Sequence, residues 1–285
     1  MREHPRFSSV SFSHHTQEFM TRNMLVASAL FLITSTALSA HDTWLLPDSL
    51  RTTVNHKVIF SLTSGDAFPV DDFAIDPKRV TRADVRLANK TTRLTTPVSG
   101  KFSLNYGWTP TNSGIAVIAI ELAPKTLTLT PDKIEEYFTD INASKSLRAT
   151  WDSVPKPKQW RESYTKHAAT FILVGERSTD SSWHQPLGMG FEIIPDVNPT
   201  TLKAGDILRV RAVRAGKPVA NLEVGFQFQN DKQVSFATTS AAGSAQMKLS
   251  KAGRWLVNAT SLRRATKANL EWESDFATMT VGVGK

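Results

Sequence analysis

Apolar and polar positions along this chain alternate in short runs, and most of the runs have the period of two that a half-buried strand requires. Lys57-Val58-Ile59-Phe60-Ser61-Leu62 is a candidate strand that closes on the turn Ser64-Gly65-Asp66. Ala83-Asp84-Val85-Arg86-Leu87 alternates strictly, whereas Gly114-Ile115 through Leu122 is almost continuously apolar, as a central strand would be. Asn105, Gly107, Pro110 and Asn112 mark the turns ahead of it. One helix is expected: Thr130 supplies a cap, Pro131 suits the first helical position, and Ile134, Tyr137, Phe138 and Ile141 form one apolar stripe that would cover an open sheet face. Ala168 to Val174 is a buried strand ending at Gly175, and the segment from Pro186 to Pro195 holds another. Asp196-Val197-Asn198-Pro199 has the composition of a hinge. Beyond it, runs at Ile207–Val213, Leu222–Phe228, Val234–Thr238, Ala245–Leu249, Trp255–Thr260 and Phe276–Val281 are separated by turn residues, the rhythm of an antiparallel sandwich. The chain is therefore expected to be mainly all-β.

The one long apolar run outside this pattern lies near the start. Met24 to Ile33 follows Arg22 and precedes the small residues Ser35, Thr36, Ala37, Ser39 and Ala40. It is shorter than the ~20 residues of a membrane span and has the layout of a secretory signal, cut after Ser39 or Ala40. Residues 1–19, with His4, His14 and His15, do not suit a signal peptide, so translation is expected to begin at Met20 or Met24. The product is expected in the periplasm, without a transmembrane segment. Cysteine is absent, which excludes disulfides and thiolate metal sites. The formal net charge of +8 is spread along the chain with no Lys/Arg block, which argues against nucleic acid as a partner.

Removal of the leader changes the chemistry of His41. At a new amino end its α-amine and imidazole form a chelate, and Asp42 can add an oxygen. Only His56, His167 and His184 follow it in the chain. His167 opens a strand and His184 lies in the loop after it, so the expected metal set is His41, Asp42, His167 and His184, holding nickel, cobalt or copper. His56, beside Lys57, is expected on the surface. The acidic loop Asp66, Asp71, Asp72 and Asp76 around Phe68-Pro69 matches no EF-hand spacing and is expected to be a solvated turn. The tryptophans, Trp255 above all, are expected to fill cores rather than line a groove. No phosphate loop, nucleophile elbow or paired-carboxylate motif is present, and the chain is expected not to be an enzyme.

Three blocks now support a comparison. Ala40-His41-Asp42-Thr43-Trp44-Leu45-Leu46-Pro47 resembles the start of the processed form in an exported family of unknown-function domains linked to nickel and cobalt uptake. Tyr164-Thr165-Lys166-His167-Ala168, Gly175, Pro186-Leu187-Gly188 and Glu192-Ile193-Ile194-Pro195 resemble its middle. Gly216-Lys217-Pro218-Val219, Gly243, Gly253-Arg254-Trp255 and the run from Trp272 to Thr278 resemble its end. The resemblance implies a β-sandwich-like domain over 41–195 with one short helix, an immunoglobulin-like domain over 200–285, and a membrane metal importer as partner. Two positions depart from the family: Ala169 stands where many members carry Lys, and Ser261 where some carry His. Two other functions compete, a metal-free adhesion or scaffold module of the envelope and a histidine-brace copper oxidase with His41 as half of the brace.

Overall fold

In the computed structural model, residues 41–176 and 178–285 are described. The expected signal segment, its cleavage point and its start codons lie outside the described residues. The main strands are β1 (Asp42–Pro47), β2 (Val58–Gly65), β3 (Val80–Leu87), β4 (Leu104–Trp108), β5 (Gly114–Leu122), β6 (Arg161–Val174) and β7 (Phe191–Pro195), followed by β8 (Ile207–Arg214), β9 (Glu223–Phe228), β10 (Val234–Thr238), β11 (Ser244–Lys248), β12 (Gly253–Arg264) and β13 (Trp272–Val283). Two helices, α1 (Pro131–Asp140) and α2 (Lys145–Asp152), lie between β5 and β6. The all-β expectation holds.

A 10-stranded sheet forms the spine, in the order β10-β9-β12-β13-β6-β5-β3 and then Lys90–Arg93. At its centre β6 and β13 run parallel, from Glu162 opposite Trp272 to Thr170 opposite Thr280. A second sheet orders β1, β2 and β4, and a third joins β7, β8 and β11. The apolar run of β5 has a direct cause. Its even-numbered residues Ala116, Ile118 and Ile120 pack with Leu45, Phe60, Leu62 and Leu104 of the second sheet. Its odd-numbered residues Ile115 and Val117 pack with Phe191, Leu208 and Val210 of the third. A strand covered on both faces has no polar side to alternate with.

From β7 onward, β7, β8 and β11 face β10, β9, β12 and β13, a two-sheet arrangement of the immunoglobulin-like kind. Between them lie Phe226, Val257, Met279 and the Trp255 ring. The stretch 196–199 joins β7 to its own antiparallel partner β8. The spine, moreover, takes strands from both segments, 41–195 and 200–285.

The helix expected from the apolar stripe is α1, with Ile134, Tyr137 and Phe138 buried. They close on Trp160, Trp272 and Phe276 at one end of the spine. The second helix was not expected. Ser144 caps α2 by accepting from the Leu147 amide, and only Leu147 and Trp151 give it an apolar side. Among the described residues no helix is long and apolar enough to cross a membrane.

Candidate functional site

The register of β1 against β2 decides what meets His41. Asp42 lies opposite Gly65, the last residue of β2, so the turn that follows brings Asp66 back to the start of β1. The His41 Nδ1 stands 2.5 Å from Asp66 Oδ1, and the ring leans on Phe73 at 5.3 Å. The His41 carbonyl accepts from Lys166 Nζ at 2.5 Å, and Asp42 Oδ2 accepts from Asn258 Nδ2 at 2.6 Å. Asn258 reaches Asp42 across Gly225, where a Cβ would stand 2.1 Å from Asn258 Oδ1. His41 and Asp42, the latter opening β1, are thus tied to the end of β2, to β6 and to β12 at once.

Beside them opens a cavity of about 390 Å³ whose wall carries Asp42, Asp66, Asp140 and Glu223 against one cation, Lys232. Asp140 is the last residue of α1, where the carbonyl end of the helix already presents negative potential and a basic side chain would be the stabilising choice. Its carboxyl is held above the ordinary range by burial first, then by Glu136, Asp66 and Asp42. Burial likewise raises Asp42, outweighing the Asn258 hydrogen bond and the Lys166 charge. Burial pulls the Lys166 ammonium down to about 8. The wall therefore gathers anionic groups with less cation than would neutralise them, an environment that favours a positively charged occupant.

The other expected ligands do not join this site. Successive side chains of a strand point to opposite faces. Lys166 reaches the His41 carbonyl, so its neighbour His167 projects from the other face of the spine. There His167, only 2 % exposed, has Nδ1 3.1 Å from Glu121 Oε2 and Nε2 3.4 Å from Asp275 Oδ1. Asp275 also takes Arg263 Nη1 at 2.7 Å, and Glu121 takes the Gly190 amide at 3.0 Å. His184 is exposed at the end of a 3₁₀ turn, its ring against Trp183. Of the set His41, Asp42, His167 and His184, only the first two are brought together. Among the described residues no three His, Asp or Glu side chains are grouped closely enough to hold a metal ion. Asp66 is exposed, as expected, and is also the partner of the His41 ring. His56 is exposed, as expected.

The His167 cluster makes stability depend on pH. Burial opposes the imidazolium, but hydrogen bonds and charge from Asp275 and Glu121 outweigh it, so the His167 pKa is raised. That contribution is complete below the unfolded value near 6.5 and is lost as pH rises through the folded one. Glu121 is lowered chiefly by its hydrogen bond to His167. Asp275 is lowered despite its burial, by His167 and Arg263. Their contributions are present above about pH 4.5 and fade as pH falls further. Melting temperatures of the protein and of His167→Gln should therefore differ most between about pH 4.5 and 6.5 and converge toward pH 9. A gap of constant size across that range would refute the assignment.

Several known structures align with this chain at low similarity. The ectodomain of mouse nectin-like molecule 4 (Ig1–Ig3) aligns over 85 % of this chain and 64 % of its own, at 9 % identity and a TM-score of 0.21. The Escherichia coli adhesin FdeC aligns over 87 % and 64 %, at 13 % identity and a TM-score of 0.24. The Yersinia pseudotuberculosis adhesin InvE aligns over 84 % and 58 %, at 12 % and 0.21. The chain spans less than two thirds of the length of each of these three, and at such identities and scores the likeness carries nothing about function. No curated protein matches the sequence. A family model described as "Domain of unknown function (DUF4198)" matches residues 38–262. That match takes in β1 through most of β12, including His41 and its partners, and the chain belongs to the DUF4198 family.

Proposed function

We propose that the protein is a non-enzymatic, exported binding protein that holds a divalent transition-metal ion, nickel or cobalt first, at His41 after its leader is removed, and that it serves a membrane importer of that metal. The observation that carries the reading is the His41 ring beside the Asp66 carboxylate at the edge of an acidic cavity. One imidazole nitrogen and one or two carboxylates suit nickel, cobalt and copper but do not complete a site. The missing donor is the α-amine. In the uncut chain that atom is a peptide nitrogen, and cleavage after Ala40 frees it on the same residue as the ring. Lys166, by holding the His41 carbonyl, would fix the residue so that both nitrogens face Asp66.

The experiment is a nickel titration of a chain beginning at His41, compared with the same chain acetylated on its α-amine. A second donor on one residue binds in an effectively intramolecular step, so acetylation should weaken binding by roughly 100-fold or more. Equal affinities would overturn the reading.

The metal-free adhesion or scaffold reading draws on the immunoglobulin-like sandwich alone. The histidine-brace reading needs a second imidazole facing the first, and His167 lies on the opposite face of the spine.

A further inference from the structure

A second cavity, of about 370 Å³, adjoins the acidic one and shares Ile141, Glu223 and Thr260 with it. Its charge is opposite. Three arginines line it, Arg214, Arg263 and Arg264, against the single carboxylate of Glu223. Arg263 is occupied, with Nη1 on Asp275 at 2.7 Å and Nη2 on Glu273 at 3.4 Å. The other two have no carboxylate within ion-pair distance among the described residues. Arg214 gives one N–H to Ser261 Oγ at 2.7 Å and keeps the rest of its fork free. Arg264 is exposed, with its guanidinium carbon over the Trp272 ring, 5.0 Å from the centroid, a contact that leaves its N–H donors unused. After burial, the charge of Arg263 lowers the Arg214 pKa, and Asp275 offsets part of that effect.

Two further groups on this wall are donors without enough acceptors. The α2 helix begins here, with Ser144 and Ser146 lining the cavity. Ser144 satisfies the Leu147 amide, and the first amides of the helix remain directed toward its open end. Trp272 belongs to the same wall, and its buried indole N–H has no acceptor among the described residues. Planar guanidinium forks and helix amides are both hydrogen-bond donors, and what they lack in common is an anion with several oxygens.

We propose that this arginine-lined cavity is an oxyanion site that takes the carboxylate or phosphate group of a small ligand, with Arg264 and Arg214 as the residues that grip it. The site is separate from His41 and stands or falls without the metal reading. Because it adjoins the acidic cavity, a ligand carrying both an oxyanion and a cationic group has a complementary place for each end.

The test uses the purified protein, stripped of metal on a chelating resin, in low-salt buffer. Inorganic phosphate and succinate are titrated separately by calorimetry, then into Arg264→Gln and Arg214→Gln, whose folding is checked by their melts. The expected result is saturable binding of at least one probe, weakened about 10-fold or more in each variant and weakened by added salt. Binding of phosphate alone identifies a phosphate-bearing ligand, binding of succinate alone a carboxylate-bearing one, and competition between the two a site for the shared chemistry. His41→Ala should leave these affinities unchanged. Absence of saturation by either probe, or full affinity in both arginine variants, overturns the proposal.

Discussion

Replacement of Trp160 by alanine is expected to cost about 3–5 kcal/mol of stability and to lower the melting temperature by roughly 10 °C. Trp160 is 1 % exposed and sits where α1, α2 and the end of the spine converge. It stacks on Trp272 at 4.7 Å and meets Phe138, Tyr137 and Trp151 edge-on at 5.4–5.6 Å. It also serves a buried charge. Glu162, with no exposed surface, accepts from Trp160 Nε1 at 2.8 Å, from the Tyr137 hydroxyl at 3.0 Å and from Ser274 Oγ. Alanine would leave both a cavity and a carboxylate short of one donor. Trp160→Phe helps to separate the two effects, because it keeps an aromatic ring in the cluster while removing the N–H and only part of the bicyclic ring. It should cost about 1–3 kcal/mol. Chemical denaturation of the two variants reads both numbers, and a loss below about 1 kcal/mol for alanine would contradict this account of the helical end.

A loss of similar size is expected at Glu192→Ala, for a different reason. The Glu192 side chain is 3 % exposed and accepts three consecutive backbone amides, Leu187 at 2.7 Å, Gly188 at 2.8 Å and Met189 at 3.0 Å. Two arginines of β3 hold the same loop by its carbonyls. Arg86 donates to Gln185 and Pro186, and Arg82 to Leu187. Removing the carboxylate strands three amides and takes a counter-charge from the buried Arg86, at a cost of about 3–5 kcal/mol. Glu192→Gln keeps one oxygen and should fall between. Because this loop runs on to Gly190, whose amide binds Glu121, the alanine variant should also weaken the pH dependence assigned to His167. A variant as stable as the parent would mean that the loop holds itself.

Much of this architecture was legible in the pattern of residues. The uninterrupted apolar run of β5 matched a strand covered on both faces, and the spacing of Ile134, Tyr137 and Phe138 matched the buried stripe of α1. The regular runs from Ile207 onward matched the two-sheet sandwich. What was not legible had weak local signals. With two half-buried apolar residues, α2 is held by a cap and by Trp160 rather than by a stripe of its own. The early part of β6, from Arg161 to Lys166, is polar because its partners are the parallel strand β13 and the short strand Lys125–Thr128, and its side chains mix with the aromatic cluster. The site followed the same division. The chemistry proposed for His41 was read from the composition of the expected cleavage region, but its partner depends on the pairing of β1 with β2, which no local pattern encodes. The period of β6 separates Lys166 from His167 by one face. Which of the two faces His41 is decided by the sheet above it, and the sequence alone favoured the histidine where the structure presents the lysine.

The central claim, that cleavage creates a two-nitrogen grip on a single residue, is tested most directly by counting nitrogens. Copper(II) loaded as a spectroscopic probe into a chain beginning at His41 should give an electron paramagnetic resonance spectrum with two coupled nitrogens. One of them should disappear on acetylating the α-amine and the other in His41→Ala. A spectrum with oxygen ligands only, or one that neither change alters, would contradict it.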